Sequence, residues 1–319
     1  MIEYCSIDQI IRGDTLKHSI QTNLFAVGVA TFVIICNLWA MATLLLPNSS
    51  TEISTDLMTT PIESLSQPST EVAEVTIEEN VHHTFDDVMK EQKNNPQKAI
   101  QMAQLILKDD YNNNLQKAQP DILKSLQSHH LATDEMAYLF LDKHPSKHVD
   151  SSAQLDVPLK LQTDPHWRHL EYGSDSSRQL WENGCAIVTL SMVKEYLDQK
   201  EVTPANILNW SQQSFYRHNE GTSWQIFPAF ANEFNYHYTD LGNDFYGAME
   251  EIQQGNIVIV SVKPGYFTEI GHILVIRGYE NGQVFVNDPN DSVDKLHSYQ
   301  GVPEEIFLNE GINYWSFSN

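Results

Sequence analysis

Asn281-Gly282 stands between two apolar runs, His272–Arg277 and Gln283–Asn287, and this pattern commits the chain to an antiparallel hairpin. A two-residue turn that follows strand twist needs positive φ at both central residues, which Asn and Gly tolerate. Asp288-Pro289-Asn290 then breaks the second strand. Ile257–Val260 is a continuous apolar run of the kind found in buried strands. Tyr314–Phe317 reads as a closing strand, and Val157–Leu161 fits a short one. Helical patterns come earlier. Leu190, Val193 and Leu197 share one face, Thr203-Pro204 opens a helix through Leu208, and Trp224–Phe234 and Asp244–Gln254 read as two more. Helices first and strands later give an α+β domain over residues 151–319.

Residues 82–150 carry a purely helical pattern. Asn95-Pro96 starts a helix with Ala99, Met102, Ala103 and Ile106 on one face. A second is expected from Pro120-Asp121, with Ile122, Leu123 and Leu126 apolar. A third is expected after Thr133, with Met136, Leu139 and Phe140 inward and Pro145 as its end. Three short amphipathic helices bury too little to stand alone, so they are expected to pack on the following domain.

Nearer the amino terminus, Leu24–Leu46 is apolar but for Thr31, Asn37 and Thr43, long enough for a transmembrane helix over residues 24–46. Arg12 and Lys17 precede it, and no Lys or Arg follows until Lys90. Residues 1–23 are therefore expected in the cytoplasm, with the remainder extracellular on a single-pass anchor in the cell membrane. A cleaved signal peptide is the rival, since Ala40-Met41-Ala42 resembles a cleavage site; the continuing Leu44-Leu45-Leu46 argues against it. Residues 47–81, rich in Ser, Thr, Pro and Glu, read as a disordered stalk. The whole chain carries 42 acidic and 19 basic residues, a formal charge of −23, which excludes nucleic acid and anionic lipid as partners of the folded part.

The chemistry centres on Cys185, in Glu182-Asn183-Gly184-Cys185-Ala186-Ile187-Val188. A thiol at a glycine-marked helix start meets unpaired backbone N–H groups that favour its anion. Cys5 and Cys36 lie before and inside the apolar segment and cannot pair with it. The competing reading is a small buried residue, since free cysteine packs like a hydrophobe. His272 opens the first hairpin strand and Asp288 ends the second. A strict two-residue turn offsets them by about three ladder positions, whereas a longer loop centred on Glu280 would set them opposite. A carboxylate beside an imidazole fixes its tautomer and stabilises its charged form. His82-His83 and His129-His130 are adjacent pairs that cannot share a ligand, and His237 and His297 lack an equally well-placed partner. No HExxH or paired CxxC is present, so a zinc site has no support.

Four ordered blocks carry a family resemblance: Val157–Trp167 followed by Tyr172-Gly173; Gly184-Cys185 with its helix through Met192; Pro264–Ile276; and Val286–Asn290. Together they resemble the papain-like cysteine peptidases of family thirty-nine, the bacteriocin-leader-processing type and its stand-alone bacterial relatives. The resemblance implies a papain-like cysteine peptidase fold, a helical half plus an antiparallel sheet. It implies Cys185 as nucleophile, His272 as general base and later acid, and Asp288 as the group orienting His272. Gln162 would supply a side-chain oxyanion donor. It also implies a peptide or protein substrate and no metal or cofactor. Many members read Gly-Cys-Gly-Pro-Thr, whereas Ala186-Ile187-Val188 follows the cysteine in this chain, adding a Cβ where backbone and substrate would approach. A catalytically inactive peptide- or cell-wall-binding module and a cysteine acyltransferase are the alternatives on the same fold. The chain has no Walker motif, so coupling to export would need a separate partner.

Overall fold

The computed structural model describes residues 81–141, 154–173, 178–218 and 221–319. The expected cytoplasmic tail, transmembrane segment and nearly all of the stalk lie outside them, as do Pro145 and the segment around Asp150. Among the described residues no helix is long and apolar enough to cross a membrane.

A six-stranded antiparallel sheet organises the domain. Its strands are β3 (His237–Gly242), β4 (Ile257–Val262), β5 (His272–Glu280), β6 (Gln283–Asn287), β7 (Val302–Pro303) and β8 (Gly311–Ser318), in spatial order β3-β8-β4-β5-β6-β7. Strand alternation sorts the side chains. Ile257, Ile259, Ile273, Val275, Trp315 and Phe317 enter one apolar cluster, while Val258, Val260, Leu274, Ile276 and Tyr314 enter another. Both faces are therefore covered, which is why Ile257–Val260 reads as an unbroken apolar run.

The larger cluster is shared with α1 (Phe85–Glu91), α2 (Pro96–Tyr111), α3 (Leu115–Ser128), α5 (Cys185–Asp198), α6 (Pro204–Ser211) and α7 (Ile226–Phe234). The short α4 (Leu180–Asn183) leads into α5. The opposite face is covered by α8 (Phe245–Gln253) and α9 (Glu304–Glu310). As expected, the first three helices do not bury their apolar faces alone. Val88, Met102 and Ile122 belong to the same cluster as Val157 and Leu190. Polar contacts hold this region to the domain as well: Gln119 Nε2 of α3 donates to the Val293 carbonyl at 2.7 Å, and Glu135, in the turn after α3, pairs with Arg168 at 3.1 Å.

Three expected elements differ. The second helix begins at Leu115, not at Pro120, because Asn114 caps it by accepting from Lys117 N at 2.9 Å. Pro120 sits inside it and forgoes one helical hydrogen bond. The third is only a 3₁₀ turn, Ala137–Leu139, although Met136, Leu139 and Phe140 are buried as its pattern requires. Val157–Leu161 is buried but is not a strand; Pro158 lacks a donor, and nearby pairing is one isolated bridge between Gln154 and Gly278. A small hairpin of β1 (Tyr216–Arg217) and β2 (Gly221–Thr222), strand β3 and helix α9 had no clear sequence signal. The expected helices from Thr203-Pro204, Trp224 and Asp244 form with boundaries shifted by up to three residues.

Candidate active site

Cys185 is the first residue of α5, and Gly184 is the residue that makes that start possible. Gly184 N donates to the Leu180 carbonyl at 2.7 Å, and an added Cβ would collide with that oxygen and with the Leu180 side chain. Gly184→Ala is expected to lower stability by about 1–3 kcal/mol through overpacking. Thermal melting of the variant checks this; an unchanged Tm refutes it.

The helix is held to the histidine strand by Thr189, whose hydroxyl donates to the Ile273 carbonyl at 3.3 Å. Half-buried Cys185 lines a cleft of about 500 Å³ together with His272, and the thiol is one of the groups that favour the His272 proton. Since Nε2 of His272 points to Asp288 Oδ1 at 2.7 Å, Nδ1 is the nitrogen left for sulfur.

The reach from His272 to Asp288 is solved by neither expected hairpin geometry alone. The turn is a strict two-residue one: Glu280 pairs with Gln283, and Asn281 and Gly282 have φ of 53° and 74°. A bulge at Arg277 between Ile276 and Gly278 then takes up one ladder position. The rest is made up because Asp288 lies beyond β6, where the chain has left the ladder. Arg277 is buried, bonding the Gln154 side chain and donating through Nη2 to the Ser298 carbonyl at 3.2 Å.

Asp288 has no solvent exposure, and both of its carboxylate oxygens accept hydrogen bonds. Oδ1 accepts from His272 and from Asn290 N at 2.8 Å, while Oδ2 accepts from Nδ1 of His297 at 2.8 Å. A carboxylate only accepts, so both facing imidazole nitrogens carry their protons. Burial alone would raise the Asp288 carboxyl, but His272 and His297 hold it well below the ordinary carboxylate range. Burial likewise opposes charge on His272, yet Asp288 and then Cys185 outweigh it and push the imidazolium up to about 10. Nearby Asp291 is pushed up to about 6, first by burial and then by the Asp288 charge, and it accepts from Ser292 N, His297 N and Ser298 N.

The sign for stability follows from His272. A pKa raised on folding means proton uptake, so its contribution is complete below about 6.5 and is lost as pH rises towards 10. Wild-type Tm is expected to fall more steeply between pH 7 and 10 than that of His272→Gln. Parallel curves would refute the assignment.

Gln162 is buried beside the cysteine loop but is not among the residues lining the cleft. Its backbone N donates to the Pro289 carbonyl at 2.7 Å, and Nε2 donates to the Trp181 carbonyl at 2.8 Å, leaving the second amide hydrogen uncommitted. Ala186 has no exposure, so its methyl packs into the interior. Of the residues just before His272, Ile270 lines the cleft, whereas Phe245 packs into the cluster on the opposite face of the sheet.

His297 corrects the sequence reading most. Expected to lack a well-placed partner, it bonds the buried carboxylate directly. The turn formers Pro289, Asn290, Asp291 and Ser292 were the available signal that the chain doubles back on Asp288. Among the described residues no group of His, Cys, Asp and Glu is placed to hold a metal ion.

Residues 154–317 match the family model described as the Peptidase_C39 like family. Three solved structures are similar. A Bacillus anthracis protein described as a C39-like peptidase shares 16% identity, with 53% of this chain and 98% of that chain covered and a TM-score of 0.36. The peptidase domain of Streptococcus ComA, a bifunctional ABC transporter involved in quorum sensing, shares 18% identity over 43% of this chain and 92% of its own, TM-score 0.35. A double-glycine-motif protease from an AMS/PCAT transporter, solved with the leader peptide, shares 15% over 52% and 94%, TM-score 0.34. No match is found among curated proteins.

Proposed function

Because the chain belongs to the C39-like peptidase family, we propose that it is a cysteine peptidase whose Cys185, His272 and Asp288 hydrolyse peptide bonds. The observation that carries this reading is that Cys185 and His272 line the same open cleft while His272 is hydrogen-bonded to the buried Asp288. The thiolate is the attacking form, and an adjacent imidazolium favours it. Sulfur adds to the substrate carbonyl, and the oxyanion is received by the Cys185 backbone N–H and the free amide hydrogen of Gln162. His272 gives its proton to the departing amine, leaving a thioester. It then takes a proton from water, whose hydroxyl adds to the thioester and releases the acid and the thiolate, restoring the starting thiolate–imidazolium pair.

Trp224, Tyr216, Ile270 and Ile312 wall the cleft, and Ile270 is 71% exposed. This lining favours a peptide with an apolar side chain next to the scissile bond. The leader-peptide complex of the transporter protease is consistent with a peptide substrate. We further propose that the apolar segment over residues 24–46 anchors the enzyme in the cell membrane with its catalytic domain outside.

The test is a defined peptide library cleaved by the full chain, with and without a competing amine. New amino termini, abolished by iodoacetamide labelling of Cys185, are expected. Amide products exceeding acids would make it an acyltransferase. Peptide binding without turnover would make it a binding module.

A further inference from the structure

The loop that carries Asp288 returns a second imidazole to the same carboxylate. We propose that His297 is a positioning residue of the thiol–imidazole pair: its Nδ1–H clamps Oδ2 of Asp288 so that Oδ1 stays aimed at His272. This rests on the reading of Cys185 and His272 as a working pair.

A carboxylate pivots about a broad, two-fold torsion, so one bonded oxygen does not fix its plane. Two donors on Oδ1 and one on Oδ2 do. The clamp is itself immobilised. His297 N donates to Asp291 Oδ1 at 3.0 Å, and the neighbouring Ser298 N donates to Asp291 Oδ2 at 2.8 Å. Ser298 Oγ accepts from Asp288 N at 3.0 Å, which ties the two ends of the loop together. The His297 ring is only 6% exposed and lies 4.9 Å from the Tyr266 ring and 5.1 Å from that of Phe267.

Those two aromatics belong to the segment running into Ile270, Gly271 and His272, which border the cleft. The clamp therefore touches the carboxylate on one side and the stem of the cleft rim on the other. A residue needed only to fill this space would be apolar. A buried imidazole on a buried carboxylate supplies one thing a hydrocarbon cannot, a directed N–H.

The full chain is labelled with iodoacetamide at pH 7, and the rate at the Cys185 peptide is read by mass spectrometry. His297→Phe keeps a flat ring without a donor, while His297→Asn places an amide N–H near the position of Nδ1. Phe is expected to slow Cys185 labelling by about 10- to 100-fold, the range of a hydrogen bond to a charged group. Asn is expected to stay within roughly 3-fold of wild type, since it restores the donor. Melting temperatures are measured alongside, because Phe can keep the ring contacts with Tyr266 and Phe267 while Asn loses them, so a purely structural role would slow Asn more than Phe. Equal slowing, or any other ordering of the two, overturns the proposal. His272→Ala is the reference: if it too leaves labelling unchanged, the Cys–His reading has failed rather than the clamp.

Discussion

Replacing Cys185 with alanine is expected to lower peptide turnover by about 10⁵- to 10⁶-fold, to the level left by binding and the oxyanion donors. His272→Ala is expected to cost nearly as much alone, and the double variant hardly more, since nucleophile and base act as a unit. His272 has one nitrogen on Asp288 at 2.7 Å and the other left for the Cys185 thiol, so removing either partner idles the other. Turnover of the three variants on one cleaved peptide, as kcat/KM, is the check. Multiplying losses would mean that the two residues act independently, and retained activity in Cys185→Ala would place the nucleophile elsewhere.

Asp288→Ala carries the largest expected loss of stability, about 3–5 kcal/mol, or on the order of 10 °C in Tm. The methyl leaves three donors without their acceptor inside the protein: His272 Nε2, His297 Nδ1 and Asn290 N. Two of these belong to imidazoles that are nearly or fully out of solvent, where an unmade hydrogen bond costs its full desolvation. Asp288→Asn is expected to cost much less, because Oδ1 can still accept from His272 while His297 changes tautomer to accept from the new amide. Calorimetric melting of both variants decides the matter. An Ala variant that melts with the wild type would show that the network contributes nothing to folding.

The antiparallel hairpin was legible because Asn281-Gly282 leaves one good turn geometry, and β4 because alternation over two covered faces produces an unbroken apolar run. Cys185 stood out by its glycine and by the helix behind it. What escaped notice had a physical reason in each case. The bulge at Arg277 is one residue of register, set by a guanidinium that bonds Gln154 and Ser298 far along the chain. Strand β3, half of it polar, is an edge strand paired on one side, so its sequence carries little apolar alternation. His297 depends on a loop closing over nine residues, which backbone patterns do not encode. The second amide hydrogen of Gln162 is equally invisible from sequence, since its orientation is set by the Trp181 carbonyl.

Strand β8 comes last in sequence yet lies inside the sheet, paired with β3 on one side and β4 on the other. A chain emerging vectorially from the ribosome, at about 5–20 residues per second, therefore cannot close this sheet as it grows. Helices α1–α3 can collect early, but β4 lacks one neighbour until Gly311–Ser318 arrives. Val262 at the end of β4 is the ladder partner of His272, so the histidine's footing is completed only then. The sheet order thus makes the full pairing of the strand on which His272 rests wait for the last strand of the domain to be made.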